Sequence, residues 1–209
     1  NLNAKFKFNK GDCKDFNFMR KALDNIDTVI HCAATAYEGF SVFSPSFITK
    51  NIFESSVSTF SASITNNVKK VIFCSSMARY GGQDYPFTED MIVQPEDPYG
   101  IAKVAAENIL KNLSKIHNFD YTILVPHNIV GPRQKYDDPY RNVLSIFLNR
   151  NLRNKPAIIY GDGNQKRCFS YIDDCVDCII KTIELEETNS EIINIGPDEE
   201  FITIKELAD

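Results

Sequence analysis

Three short apolar runs, separated by helical stretches, constrain this chain more than any other feature. They are Asp27-Thr28-Val29-Ile30-His31-Cys32-Ala33-Ala34, Val68 to Cys74, and Tyr121 to Val125. Each has the length of one strand and is apolar at consecutive positions, so both of its faces need cover. Between the first two, Ile48, Ile52, Val57, Phe60 and Ile64 recur near helical spacing, which predicts a helix from about Pro45 to Asn66. Between the second and third, Asp97-Pro98 opens a helix running to about His117, with proline at its first turn. Strand and helix in alternation predict an α/β fold, a parallel sheet covered by helices on both sides.

Before these runs, Phe6 and Phe8 alternate with Lys7, so residues 1–10 read as a strand ending at Gly11-Asp12. Phe6, Phe8, Phe16 and Phe18 are core or interface candidates. After Gly131-Pro132-Arg133 the character changes. Asp137-Asp138-Pro139-Tyr140 is a polar loop, a helix follows near Arg141 to Arg150, and Ala157 to Tyr160 reads as a strand entering the turn Gly161-Asp162-Gly163-Asn164. The expected division is a sheet domain over 1–131 and a smaller substrate-binding lobe, with returning sheet elements, over 132–209.

With 209 residues, 43% hydrophobic and 24% charged, the chain has the make-up of one sizeable globular domain or one and a half. Its net charge of -5 and lack of a long basic run argue against a nucleic-acid surface. No apolar stretch has membrane-spanning length. Six cysteines are scattered, four of them inside apolar or helical runs, as buried free thiols are, and this points to a reducing, cytoplasmic setting. Cys175-x-x-Cys178 reads as two small residues on the inner face of a helix rather than a metal or redox pair. His31, His117 and His127 share no ligand spacing, so no metal site is expected.

The chemistry concentrates in one place. Tyr99 and Lys103 lie four apart and share a helix face. The strand Val71 to Cys74 runs into Ser75-Ser76. A hydroxyl, a phenol and an ammonium brought together would move a proton on and off a carbinol oxygen, as hydride-transfer chemistry beside a nicotinamide requires. A dinucleotide fold normally also opens with a glycine-rich turn whose N–H groups hold the pyrophosphate. No such motif occurs here, and the chain stops in what reads as the start of a helix. The expectation is a piece lacking a leading βαβ unit of about 50 residues, and part of the second lobe behind.

The chain resembles the extended short-chain dehydrogenase/reductases, specifically the NAD-dependent nucleotide-sugar epimerase/dehydratase family. The likeness rests on an ordered set: Gly11-Asp12, Val29 to Ala34, Asn51, Ser75-Ser76 with Tyr80-Gly81, Tyr99-x-x-x-Lys103, Pro126 to Arg133, and Gly161-Asp162-Gly163 with Arg167. It implies a Rossmann-like doubly wound sheet without its first unit, and NAD as cofactor. Tyr99 would be the acid and base, its ordinary pKa of about 10 lowered by Lys103 and the nicotinamide. Lys103 would also hold the ribose, and Ser76 would hydrogen-bond the reacting oxygen. Asp12 and Cys13 would face the adenine, Cys32, Ala33 and Ala34 would let the cofactor approach the backbone, and Asn51 and Pro126 would lie beside it. Asn128, Asn142, Val143 and Arg167 would contact a UDP-sugar, with Arg167 on a phosphate. Tyr160 would flank the base, although packing is the reading its residue type favours. The resemblance also implies a homodimer through the Pro45–Asn66 and Tyr99–His117 helices.

Two positions depart from the family pattern. Cys168 stands where an aspartate is usual after the arginine, and Arg79 stands where a small or branched residue is common, which suggests a cation at the mouth of the sugar pocket. Arg133 could be a loop cation or a substrate contact. After Ser76, related dehydratases carry an Asp-Glu pair and decarboxylases a glutamate, whereas this chain has Met77 and Ala78. Neither transfers a proton, so elimination lacks its acid and base. The expected reaction is C4 epimerisation of a UDP-hexose, with a 4-keto-sugar reductase and a non-catalytic NAD(P)-binding module as alternatives. The sugar, and NAD against NADP, stay open.

Overall fold

Four short parallel strands carry the core, because their alternate residues are apolar on both faces. The computed structural model describes residues 6–84, 86–140, 142–197 and 201–209. In chain order the elements are α1 (Phe16–Ala22), β1 (Thr28–His31), α2 (Glu38–Ser41), α3 (Pro45–Thr49), α4 (Ser55–Thr65), β2 (Lys70–Cys74), α5 (Pro98–His117), β3 (Asp120–Pro126), β4 (Ile129–Val130), α6 (Val143–Asn151), β5 (Lys166–Arg167), β6 (Ser170–Tyr171), α7 (Ile172–Glu184), β7 (Glu191–Ile195), β8 (Ile202–Thr203) and α8 (Ile204–Ala208). The main sheet has the order β1-β2-β3-β7. All three of its pairings are parallel, with His31 opposite Phe73, Cys74 opposite Leu124 and Thr122 opposite Glu191. Two small pairs, β4-β6 and β5-β8, lie apart from it.

Pleating sends Val71, Phe73, Ile123 and Val125 to one face, where Met19, Leu23, Phe60, Ala106 and Leu110 cover them. Ile72, Leu124 and Ile195 point the other way, against Cys175 and Ile179 of α7. Burying each large side chain such as Phe60 or Leu110 contributes about 1.5–3 kcal/mol. Crossover segments thus cover both faces, and all four strand ends emerge along one edge.

The Asp97-Pro98 helix start is as the sequence indicates. The Asp97 side chain accepts from Gly100 N at 3.0 Å, and the helix ends with Asn118 in the left-handed region. The Pro45–Asn66 helix is also present as α3 and α4, but a π-helical turn, Lys50–Glu54, joins them. That turn contains Asn51. Downstream, serine and threonine hydroxyls donate back to carbonyls one turn earlier, Ser55 to Asn51 O, Ser56 to Ile52 O and Thr59 to Ser55 O.

Three expectations need correction. Residues 6–10 form no strand, and Phe6 and Phe8 are exposed, while 1–5 lie outside the described residues. A strand needs a partner for its backbone groups, and among the described residues this segment has none. Of the four early phenylalanines, Phe18 does pack against the core. Ala157 to Tyr160 is likewise not a strand, although the turn after it exists, with Gly161 and Gly163 both at φ 75°. Cys175 is buried but Cys178 is exposed, because α7 packs along a single narrow face. The helix placed near Arg141 begins at Val143, and Arg141 itself lies outside the described residues.

Candidate active site at the carboxyl edge of the sheet

The backbone turns sharply after β2, and this separates the two serines. Ser75 is buried, and its hydroxyl donates to Glu107 Oε1 through a short hydrogen bond. Ser76 is half-buried and caps the 3₁₀ turn Met77–Tyr80, accepting from Ala78 N at 3.2 Å. Helix α5 passes close to this turn because residue 100 is glycine. A Cβ there would lie 2.9 Å from Ala78 O. Gly81 ends the turn at φ 62°, where a side chain would collide with Gln94 O. Tyr99, 8% exposed, packs with Ile48, Ile52 and Ala102. One turn on, Lys103 is 2% exposed and its ammonium donates to Cys74 O at 2.6 Å, 4.9 Å above the Phe73 ring. Burial lowers its pKa to about 8, against the pull of Cys74, Cys32 and Glu107. Burial, with Lys103 nearby, also pushes His31 down to about 4, so its ring is neutral beside Ser56 Oγ at 3.1 Å.

Arg79 does not reach the mouth of the pocket. It is 1% exposed and pairs with Glu107, also 1% exposed, at 3.2 Å. Its Nη1 also donates to Tyr80 OH at 3.1 Å, and Tyr80 OH donates to Asn194 Oδ1 at 2.9 Å. Glu107 on α5 draws the arginine inward, because a buried carboxylate needs a cation. The pair therefore clamps the serine turn to the helix that carries Tyr99 and Lys103.

Two adjoining clefts, of about 350 and 430 Å³, share Glu38, Ser76, Pro126, Asn128 and Arg167. Tyr99, Asn142 and Val143 line the second, and Met77, Ala78 and His127 the first. The expected substrate residues thus converge, apart from Tyr160. Tyr160 is 80% exposed and borders a neighbouring hollow with Tyr140 and Val143. Asn128, at φ 38°, donates its amide to Cys168 O at 3.0 Å and so ties the loop after β3 to the arginine segment. Cys168 is buried, and the Arg167 guanidinium donates to Lys166 O at 2.8 Å. The Asn142 side chain caps α6 through Leu144 N at 3.0 Å. Arg133 is exposed in the loop after Gly131.

Two cleft residues escape a reading of the sequence. Together with Arg167, Glu38 lines both clefts. The protein walls around it and Asp97 raise its carboxyl pKa, and Arg167 opposes them. His127 is pushed down by burial and then by Arg167. Glu38, at the start of α2, carried no signal, and His127 appeared within the run Pro126 to Arg133 without a role. Of the other carboxylates in the first cleft, Glu96 accepts from Gly82 N at 3.1 Å and Asp97 caps α5.

Toward the far end of the same edge, Asp12 is exposed and accepts from Lys14 N at 2.9 Å. Lys14, also missed, donates to Asn51 Oδ1 at 2.6 Å and so links the expected adenine end to the π-helical turn. Cys13 is half-buried against the core. Cys32, Ala33 and Ala34 follow β1, with Cys32 exposed and within 3.4 Å of Cys74 Sγ. Small residues at a strand end, with a buried ammonium beside them, fit the nicotinamide half of a dinucleotide. Among the described residues no cluster of side chains suits a metal ion, and no helix is long and apolar enough to cross a membrane.

The NAD dependent epimerase/dehydratase family matches residues 1–196. A UDP-N-acetyl-alpha-D-glucosaminuronate decarboxylase of Bacillus cytotoxicus is 32% identical over 207 residues, 93% of this chain and 61% of the relative. Among solved structures, the UDP-N-acetylglucosamine 4-epimerase of Methanobrevibacter ruminantium in complex with UDP-N-acetylmuramic acid is 34% identical with a TM-score of 0.88, covering 95% of this chain and 63% of that one. The UDP-glucuronic acid 4-epimerase of Bacillus cereus, in complex with UDP-glucuronic acid and NAD, is 30% identical with a TM-score of 0.88, covering 98% and 64%. The chain spans 57–68% of the length of the first curated relatives. Their names include 4-epimerases, a reductase and 4,6-dehydratases.

Two predictions concern the buried charges. Arg79→Met or Glu107→Leu alone should cost about 3–5 kcal/mol in urea unfolding, and the double variant much less than the sum. Additive losses would mean that the pair is not coupled. For Lys103, the unfolded chain holds its proton between pH about 8 and 10.5 while the folded chain has released it. Its contribution to stability therefore rises with pH through that window, on the order of 1–3 kcal/mol in total. Lys103→Met should flatten this slope relative to wild type, and parallel pH profiles would contradict its burial.

Proposed function

The chain belongs to the NAD dependent epimerase/dehydratase family, and we propose that its gene product inverts C4 of a UDP-hexose. The observation that carries this reading is one cleft in which Ser76, Tyr99, Asn128 and Arg167 meet, with Lys103 buried one turn along α5 from Tyr99 and its ammonium on Cys74 O. Residues 1–131 would belong to the cofactor domain and 132–209 to the substrate lobe.

The site residues would hold NAD through Cys32, Ala33, Ala34, Tyr99, Lys103 and Pro126, with Asp12, Cys13 and Asn51 toward the adenine. When bound, the cofactor supplies reversible hydride acceptance at sugar C4. Tyr99 removes the O4 proton as C4 is oxidised and returns it on reduction. Lys103 favours the phenolate by its charge. Ser76 hydrogen-bonds O4 and keeps it aligned with the phenol. Arg167 and Asn128 hold the diphosphate, with Glu38 as the arginine's counter-charge in the free protein. Anchoring by the diphosphate leaves the 4-keto sugar free to turn over, which inversion requires. Asn142 and Val143 flank the nucleotide, and Tyr160 stands outside, toward the uracil.

The side chains beside Ser76 separate this reading from its neighbours. Met77 and Ala78 line the cleft and transfer no proton, so dehydration and decarboxylation lack the residues that the resemblance implies for them. A reductase would share Ser76, Tyr99 and Lys103 and differ in consuming the reduced cofactor. We further propose a cytoplasmic homodimer through these helices, since α3 and α5 pack together and leave Phe47 and Ile101 exposed.

Tyr99→Phe should lower turnover of UDP-glucose, UDP-N-acetylglucosamine or UDP-glucuronate by roughly a hundredfold or more, with the thermal midpoint unchanged. Near-normal inversion by proton NMR would remove Tyr99 from the chemistry. Arg167→Ala should weaken UDP-sugar binding far more than NAD binding in calorimetry. Equal loss of both would assign the arginine a structural role instead.

A further inference from the structure

Two thiols meet at the carboxyl edge of the sheet, where the proton chemistry gives them no part. Cys74 ends β2, and Cys32 is the first residue after β1. The register places His31 opposite Phe73, so the next pair along the two strands is Cys32 and Cys74. Their Sγ atoms lie 3.4 Å apart in a hydrogen bond. Residues directly opposed on neighbouring strands sit about 4.8 Å apart, within the span of about 4.4–6.8 Å that a disulfide bridges. Both side chains leave the sheet on the same side, so closure needs only rotation about the two Cα–Cβ bonds.

The pair is also asymmetric. Cys32 is exposed and Cys74 is partly covered. The hydrogen bond from Cys74 holds the Cys32 thiol down to about 7, with the Lys103 ammonium helping against burial. The same bond and burial push Cys74 up. Cys32 is thus the accessible thiolate, and Cys74 waits beside it with a proton to give. None of the other four cysteines shares such a contact. Cys168 and Cys175 are buried, Cys13 lies in the turn before α1 and Cys178 on α7.

We propose that Cys32 and Cys74 are a peroxide-sensitive dithiol that closes to a disulfide and, on the cofactor reading above, lowers affinity for NAD. The Cys32 thiolate attacks one oxygen of hydrogen peroxide. The O–O bond breaks, and the departing hydroxide takes the proton released by Cys32 to become water. Cys32 is then a sulfenic acid. Cys74 Sγ attacks its sulfur, the S–S bond forms, the S–O bond breaks, and the hydroxyl leaves as water with the Cys74 proton. Two thiols lose two electrons and two protons, and one peroxide becomes two waters. Thiol exchange with a reductant reverses the step. The affinity effect follows from position. Cys32 forms the floor on which the cofactor would rest, and the Cys74 carbonyl anchors Lys103. Drawing the two sulfurs together shifts both.

The test treats the whole gene product with hydrogen peroxide, blocks remaining thiols with iodoacetamide and maps the peptides without reduction. A peptide joining Cys32 to Cys74 is expected, absent after dithiothreitol and absent in Cys74→Ser. In that variant a dimedone adduct should appear on Cys32. Recovery of both cysteines as carbamidomethyl peptides, or a Cys32 bridge to any other cysteine, would overturn the dithiol. Calorimetry with NAD on reduced and oxidised protein should show roughly tenfold or greater loss on oxidation, restored by dithiothreitol. Equal affinities would overturn the cofactor effect. Failure of the reduced protein to bind NAD would count against the proposed function, while the peptide map would still decide the dithiol.

Discussion

A buried ammonium held by one carbonyl joins the helix that carries the tyrosine to the strand that leads to the serines. Lys103 donates to Cys74 O from a site almost closed to water. A charge in such a place is costly unless it is hydrogen-bonded and balanced. Cys74 and Cys32 offset part of that cost, and so does Glu107, one turn further along α5, which also takes the Ser75 hydroxyl and Arg79. These contacts fix α5 on the end of β2 with little freedom of rotation. Tyr99 is then placed by the helix, and Ser76 by the turn that Arg79 clamps. Gly100 allows the close approach that brings the two to one cleft.

Much of this architecture could be read in the residues because it follows from local rules. Apolar runs of strand length have few alternatives to a doubly covered parallel sheet, and Asp97-Pro98 is an unambiguous helix start. What escaped depended on partners distant in sequence. Arg79 reads as a cation at the mouth of the sugar pocket until Glu107, on another element, draws it inward. Lys14 carries no local sign that it will reach Asn51. Phe6 and Phe8 alternate as a strand does, yet alternation says nothing about whether a ladder partner exists. Ala157 to Tyr160 failed in the same way, and only its glycine turn, set by positive φ, held. The separation of Ser75 from Ser76 was legible only through resemblance, and the structure supplies its physical cause, the turn after β2.

The cleft also bears on which member of a versatile family this chain represents. On the proposed reading, the shared part of the chemistry, a proton on an oxygen beside a nicotinamide, falls to Ser76, Tyr99 and Lys103. What distinguishes reactions is the company that Ser76 keeps. Met77 and Ala78 offer packing without proton transfer, and the carboxylates Glu96 and Asp97 are occupied in shaping the turn and the helix start. Glu38 lines the cleft with Arg167, whose charge opposes the burial that raises the Glu38 carboxyl, and on the proposed reading an arriving diphosphate takes its place. Under the proposed function such a site handles one proton and anchors a long anionic substrate, leaving the sugar ring room to present either face.

The most direct test of this account follows a label at the reacting carbon. UDP-glucose, UDP-N-acetylglucosamine and UDP-glucuronate, each carrying deuterium at C4, would be incubated in ordinary water with the whole gene product and no added reductant. The account predicts a C4-inverted product from one of them, with the deuterium still at C4. Inverted product that has lost its label to solvent, or no inverted product from any of the three while NAD stays bound, would contradict it.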